Sequence, residues 1–414
     1  MSASTLKLVV NEKKKYINVT TSDFGQCDWD ENSLRIFLVL CHEDNSTSDI
    51  FLQHETVIKI RYSGEILTVS LNAIDEQKPS MRKVPRLVLD EFFSNCMTHV
   101  YEITRMRDNA TATLIVNKKN DGDSLGFPFR LEGLRHSMGN AQETSFVCLR
   151  PLRKVIPLEN LRVSDLSKKI ISSPGKFNII TGPTGAGKST LASSAVTEMA
   201  CKKRINVLTA EDPIEYNIAG DNRVIGNVHQ FDANNDHKDG MSGLLKSFLR
   251  QRPDLVYVGE MREALTVNIG IQIARSSHKL FTTAHCERAW QAFERLIDLL
   301  PFEARLTSLI DLITYSGFII SQSLVATDKN GELAIQDVFY FDREDIVFLI
   351  DAVRKSYRES KDYEGYSRAF RVRFKEKCAN GVAIDQLSHL RSHLDNNLIT
   401  QEEFDKFSIS IDPV

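Results

Sequence analysis

Residues 178–190 read NIITGPTGAGKST, and this stretch constrains the fold more than any other in the chain. It matches G-x-x-x-x-G-K-[ST] at Gly182, Gly187, Lys188 and Ser189. A polyphosphate is a dense anion. It must be wrapped by backbone N–H groups with no side chains in the way, at the positive end of a helix dipole. Both supports are written on either side of the loop. The apolar run KFNII precedes it as a strand, and STLASSAVTEMACKKR follows as a helix with basic residues in its last turn. Gly182, Pro183, Thr184, Gly185, Ala186, Gly187, Lys188, Ser189 and Thr190 are therefore expected to cradle ATP, with Lys188 on the β/γ-phosphates and Ser189 on Mg²⁺.

A strand–loop–helix unit of this kind belongs to a parallel α/β sheet, and the chain around it has the matching rhythm. From 164 onward, helical and strand patterns alternate, which predicts a mainly parallel sheet with helices on both faces. Residues 1–150 read differently. Short β-rich runs such as SDIFLQ and VIKIRYSGEILTVSL, a hairpin around 117–126 and two helical patterns predict an α+β domain with an antiparallel sheet. The expected division is 1–155, a linker at 156–163, an α/β domain at 164–342 and a helical, charged region at 343–414. At 414 residues, 42% of them apolar, the chain has ample material for two cores.

The net charge of -3 argues against a nucleic-acid footprint, which needs a concentrated basic face. No segment reaches the ~18–20 apolar residues of a membrane span, and no signal peptide is evident. The seven cysteines (27, 41, 96, 148, 201, 286 and 378) are scattered without a C-x-x-C pair, so reduced cytosolic thiols are expected rather than a zinc site or a disulfide framework.

Open α/β sheets bind ligands outside the carboxyl ends of their strands. Four predicted strands, 177–181, 205–209, 255–258 and 279–283, deliver polar groups there: the glycine loop, then Glu211, Asp212 and Glu215, then Glu260, then His285. Phosphoryl transfer to water needs positioning and charge stabilisation. Glu260 stands where a base for the attacking water belongs, while Gly259 offers a metal no ligand, so Mg²⁺ must depend on Ser189 with help from Glu211 or Asp212. Taken singly, His278 reads equally well as a structural histidine, and Asp212 and Glu215 as turn residues beside Pro213.

The segments GPTGAGKST, TAEDPIEY, LLKSFLRQRPDLVYVGEMRE and SSHKLFTTAHCERAWQAFERLIDLLP resemble the type II/IV secretion ATPase superfamily, whose members include PilT, GspE and DotB. In that family Gly-Glu normally stands where other ATPases have a magnesium aspartate. The resemblance implies a PAS-like N-terminal domain, a RecA-like ATPase domain with a C-terminal helical tail, and a homohexameric cytoplasmic ring that hydrolyses ATP. It assigns catalytic roles to Glu260, Glu211, His285 and Arg262, and phosphate contacts to Arg130, Arg135 and Arg150. Ser277, Ala284 and Cys286 depart from the family's usual glycine, leucine and threonine. The tail AVRKSYRESKDYEGYSRAFRVRFKEKCANGVAIDQ is similar to the C-terminal helices of DotB and the plasmid TraJ proteins, which implies type IVB secretion or conjugation and inner-membrane partners. A pilus retraction or assembly motor is the alternative. A RecA-like nucleic-acid motor is a third reading; it would need a basic stripe or aromatic platforms, and neither is evident in the sequence.

Overall fold

The computed structural model describes residues 7–11, 16–21, 29–44, 47–53, 55–63, 65–73, 82–96, 110–117, 126–138, 142–233, 237–327, 331–360 and 364–411. The chain divides into two compact units, Met1–Arg153 and Lys154–Val414.

In the first unit the elements run β1 (Lys7–Asn11), β2 (Tyr16–Thr21), α1 (Glu31–Glu43), β3 (Thr47–Gln53), β4 (Lys59–Tyr62) and β5 (Glu65–Ala73), followed by α2 (Arg86–Cys96), β6 (Ala110–Asn117), β7 (Gly126–Met138) and β8 (Gln142–Pro151). The eight strands form one sheet in the order β1-β2-β5-β4-β3-β8-β7-β6. Every neighbouring pair is antiparallel except β2 and β5. Alternation decides its inner face: Ile50 and Leu52, Phe129 and Leu131, and Val147 and Leu149 are buried two residues apart. Against them lie Leu34, Phe37, Leu38 and Cys41 of α1, at helical spacing. A capping box between Asp30 and Ser33 starts α1.

The second unit opens with α3 (Asp165–Ile170), β9 (Phe177–Thr181), α4 (Lys188–Lys202), β10 (Asn206–Glu211), β11 (Asn227–Asp232), α5 (Gly240–Phe248), β12 (Leu255–Val258), α6 (Ala264–Arg275) and β13 (Lys279–Ala284). It continues with α7 (Ala292–Ile297), α8 (Phe302–Tyr315), β14 (Ser316–Thr327), β15 (Gly331–Tyr340) and the helices α9 (Arg343–Ser360), α10 (Glu364–Ala379), α11 (Gln386–Asp395) and α12 (Gln401–Ser408). The sheet order is β11-β10-β12-β13-β9-β14-β15, parallel throughout except for the antiparallel edge strand β15. Consecutive strand residues feed different cores. Ile179, Leu208, Val256 and Leu280 pack with α5, α6 and α8, whereas Ile180, Val207, Leu255 and Phe281 pack with α3 and α4. A sheet buried on both faces therefore reads as continuous apolar runs, as KFNII and LVYV do.

The described residues after 342 are mostly helical, and their apolar faces join the core of the second unit. Tyr366, Phe370 and Phe374 of α10 are fully buried in the core that holds β12 and α6. The Phe370 ring meets Phe339 edge-on at 4.7 Å. Ile384 pairs its backbone with Val338 of β15. Cys41, Cys148, Cys201, Cys286 and Cys378 are free thiols.

The end of α6 explains one departure from the family pattern. The Ser277 N–H donates to the Ala274 carbonyl and the His278 N–H to the Ile273 carbonyl, which together close a Schellman turn. Ser277 accordingly adopts a φ of 67°, a left-handed conformation that glycine accepts without cost and serine does not. Ser277→Gly is expected to raise stability by about 0.5–1 kcal/mol, read as a higher urea midpoint with unchanged m-value.

Candidate functional site

The parallel strands bring the expected groups to one edge. In register, Thr181 of β9 lies beside Ala284 of β13, Val258 of β12 beside Thr282, and Ala210 of β10 beside Val258. The glycine loop, His285, Glu260 and Glu211 thus emerge side by side. His278 stands at the opposite, amino-terminal end of β13.

The loop leaves β9 at Gly182 and enters α4 at Lys188, with Gly187 as the residue before the helix. A side chain at position 182 has no room, because its Cβ would lie 2.0 Å from the Gln322 carbonyl oxygen of β14. Pro183, Thr184 and Gly185 are exposed, Ala186 is buried, and Gly187, Ser189 and Thr190 are half-buried. Lys188 is buried. Its ammonium donates to the Gly182 carbonyl at 3.0 Å and the Pro183 carbonyl at 2.9 Å, and it approaches His285 Nδ1 at 3.3 Å. Burial lowers its pKa, with Glu260 among the charges opposing the shift. The Thr190 hydroxyl bonds the Tyr216 hydroxyl at 2.6 Å, which ties the first turn of α4 to the acidic segment.

An ammonium can only donate, so His285 Nδ1 accepts and its proton sits on Nε2. That N–H faces Glu260 Oε1 at 3.3 Å. The second Glu260 oxygen accepts from Arg262 Nη2 at 2.7 Å and Nε at 2.8 Å. Arg262 also lies 3.8 Å from Asp212. Lys188, His285, Glu260 and Arg262 form one chain of donors and acceptors along the edge, with Asp212 nearby as a longer-range charge. Side-chain exposure is 37% at His285, 19% at Glu260 and 62% at Arg262, so the carboxylate is the sheltered member of the three. Gly259 lets this happen. A Cβ there would lie 3.3 Å from the Glu211 Cα, tighter than ordinary contact. Its N–H donates to the Ala210 carbonyl and its carbonyl accepts from the Thr283 hydroxyl.

Glu211 occupies the last position of β10, a strand that ends two residues later than the sequence pattern indicates. Its Oε1 accepts from the Thr209 hydroxyl at 2.7 Å and Gln230 Nε2 at 3.0 Å. Asp212 and Glu215 are exposed. Magnesium keeps most of its waters and takes one or two protein oxygens beside substrate phosphates. The Ser189 hydroxyl in the first turn of α4 fits that demand. No group of three or more acidic, His or Cys side chains forms a closed metal cage among the described residues.

The arginines of the first unit are placed separately. Arg130 of β7 and Arg150 of β8 are direct cross-strand neighbours. Arg150 donates to Asp49 Oδ1 at 2.9 and 2.7 Å. Burial works to raise the Asp49 pKa, but these bonds hold it below the usual value. Arg135 of β7 is opposite Ser145 of β8; its side chain lies outside the described residues.

Three contributors were not singled out in the sequence: Tyr216, Gln230 and Gln322. Gln230 holds Glu211, and Gln322 Nε2 donates to the Ala186 carbonyl at 2.6 Å. The only available signal was a glutamine inside an otherwise apolar strand, GFIISQSLV.

The site and its sheet define a P-loop protein of the parallel α/β class. More particularly, the chain belongs to the type II/IV secretion system protein family, whose profile matches residues 156–372, more than half its length. The Pseudomonas aeruginosa type IV pilus retraction ATPase PilT is 30% identical over 216 residues, which are 52% of this chain and 59% of that protein. The chain thus spans little more than half the length of that curated relative. Among solved structures, the Legionella pneumophila ATPase DotB superposes with a TM-score of 0.71 at 20% identity, covering 96% of this chain and all of that one. The pilus retraction motor PilT with bound ADP superposes at 0.68 and 22% identity, covering 90% and 95%. At these identities the superpositions speak for the fold.

Burial raises the Glu211 pKa from 4.5 to about 7. A carboxyl held protonated in the folded state stabilises fully below its unfolded pKa and loses that contribution as the pH rises to about 7. Between pH 5 and 8 the chain is expected to lose roughly 2–3 kcal/mol through this group. Glu211→Gln keeps an acceptor for Thr209 and Gln230 and should flatten the dependence, as measured by urea unfolding at the two pH values.

Proposed function

We propose that the chain is a P-loop ATP hydrolase that energises a type IVB secretion or conjugation apparatus. The observation that carries the hydrolase part of this reading is the Lys188–His285–Glu260–Arg262 chain beside the glycine loop. It joins a phosphate-neutralising ammonium to a sheltered carboxylate through a histidine of defined tautomer. Glu260 orients the attacking water and takes its proton. His285 and Arg262 hold the two Glu260 oxygens, and Lys188 meets the charge that develops on the β/γ-phosphates. Ser189 would hold Mg²⁺ with help from Glu211 or Asp212, and the ion would supply neutralisation of phosphate charge. We further propose that the protein works as a homohexameric ring recruited to the inner face of the cytoplasmic membrane. No helix among the described residues is long and apolar enough to cross a membrane.

The superposition on DotB agrees with the fold that this reading needs, and the resemblance of the tail to DotB and the plasmid TraJ proteins supports the choice of a secretion or conjugation machine. The sequence identity to PilT supports a second reading, a type IV pilus retraction or assembly motor with the same chemistry. A deletion strain that loses twitching but retains effector and DNA transfer would favour the second. Size analysis with and without a non-hydrolysable ATP analogue tests the ring.

Glu260→Gln is expected to retain ATP binding and to lose turnover by about a hundredfold or more, whereas Lys188→Ala should lose binding itself. Steady-state hydrolysis beside equilibrium titration separates the two effects. Wild-type turnover in Glu260→Gln would count against the assignment of the base.

A further inference from the structure

A phosphate loop binds through the direction of its peptide planes, and at Ala186 two glutamines outside the loop fix that direction. Gln322 and Gln336 are direct cross-strand partners on β14 and β15, and both are buried. Gln336 Oε1 accepts from the Ser164 N–H at 3.0 Å, the Ser164 hydroxyl at 3.0 Å and the Ser167 hydroxyl at 2.8 Å. Its Nε2 donates to Gln322 Oε1 at 2.8 Å, and Gln322 Nε2 donates to the Ala186 carbonyl at 2.6 Å.

Both ends of this relay are obligate. The Ser164 N–H can only donate and the Ala186 carbonyl can only accept, so neither amide can flip without breaking the line. Across a trans peptide, a carbonyl and the following N–H point in opposite directions. Holding the Ala186 carbonyl toward β14 therefore turns the Gly187 N–H away from β14, into the loop. Gly187 has a φ of 75°, and its peptide has no side chain of its own to fix it.

We propose that Gln322, held by Gln336, is a positioning residue for nucleotide binding that aims the Gly187 N–H at a polyphosphate. The relay ties the phosphate loop to Ser164, the cap of the first helix of the second unit. The proposal rests on the hydrolase reading and goes further by assigning a residue outside the family's sequence boxes. An N–H aimed at a phosphate before and during transfer contributes equally to ground and transition states, so its loss appears in affinity rather than in turnover.

The test uses the full chain with Gln322→Met, Gln336→Met and the double substitution, titrated with ADP and assayed for ATP hydrolysis. For Gln322→Met, the Kd for ADP and the KM for ATP are expected to rise about tenfold, with kcat within about threefold of wild type. Gln336→Met should give a smaller rise. The double variant should match Gln322→Met, because Gln336 acts only through Gln322. An unchanged Kd, a fall in kcat alone, or multiplying effects in the double variant would overturn the proposal. If Gln322→Met does not fold, Gln336→Met still decides, since an ADP affinity equal to wild type overturns the relay. A wild-type chain that binds no ADP would defeat the hydrolase reading and the relay together. Wild-type binding with unaffected variants would defeat the relay alone.

Discussion

Six strands running the same way place six carboxyl ends on one edge, and such a sheet persists only when both of its faces are covered. Everything at the site follows from that requirement. Alternate residues of β9, β10, β12 and β13 feed two separate cores, so the strands have no exposed face on which to carry chemistry. Polar function is confined to where the strands stop. Helices on both sides also fix which loops can meet, because each crossover returns the chain to the same end of the sheet. The phosphate loop, Glu260 and His285 are neighbours because their strands are neighbours, although more than a hundred residues separate the first from the last.

At that edge the charged groups are graded rather than merely collected. Lys188 sits innermost with two neutral carbonyl partners, and a polyphosphate would offer it charged ones. Glu260 comes next, sheltered and held through both oxygens, and Arg262 lies outermost in solvent. A carboxylate restrained on both sides keeps its direction when a substrate approaches, which a surface glutamate on a flexible loop would not. His285 links the two inner groups because one ring nitrogen accepts while the other donates.

Much of this was legible in the sequence, for physical reasons that also mark where legibility stops. Continuous apolar runs announced the buried parallel strands, and the glycine loop identified β9 and α4 outright. The polar strand ends gave Glu211, Glu260 and His285, since position after a strand is local information. Gln230 and Gln322 were not legible. Each acts across a fold contact, Gln322 over 136 residues, and no periodicity tells which atom a buried amide will meet. The C-terminal helices hold a contact that their charge content does not announce. Among many charged residues, Tyr366, Phe370 and Phe374 recur every four residues and bury one face completely. The strand end at Glu211 ran past its expected limit because pairing with β11 carries β10 onward: Glu211 lies opposite Asp232.

The same geometry explains why the chain places its carboxylate at 260 rather than one residue earlier. Successive residues of an extended segment point to opposite sides, so moving a side chain back by one position reverses its direction. An aspartate at 259 would project toward β10, where the Glu211 Cα stands 3.3 Å from the Cβ position. The peptide of Gly259 is already committed on both sides, its N–H to the Ala210 carbonyl and its carbonyl to the Thr283 hydroxyl. With that peptide fixed between β10 and β13, the next residue is the first whose side chain is free to turn toward His285 and the glycine loop. A glycine followed by a glutamate is thus a single structural solution: the first residue closes the gap between two strands, and that closure aims the second.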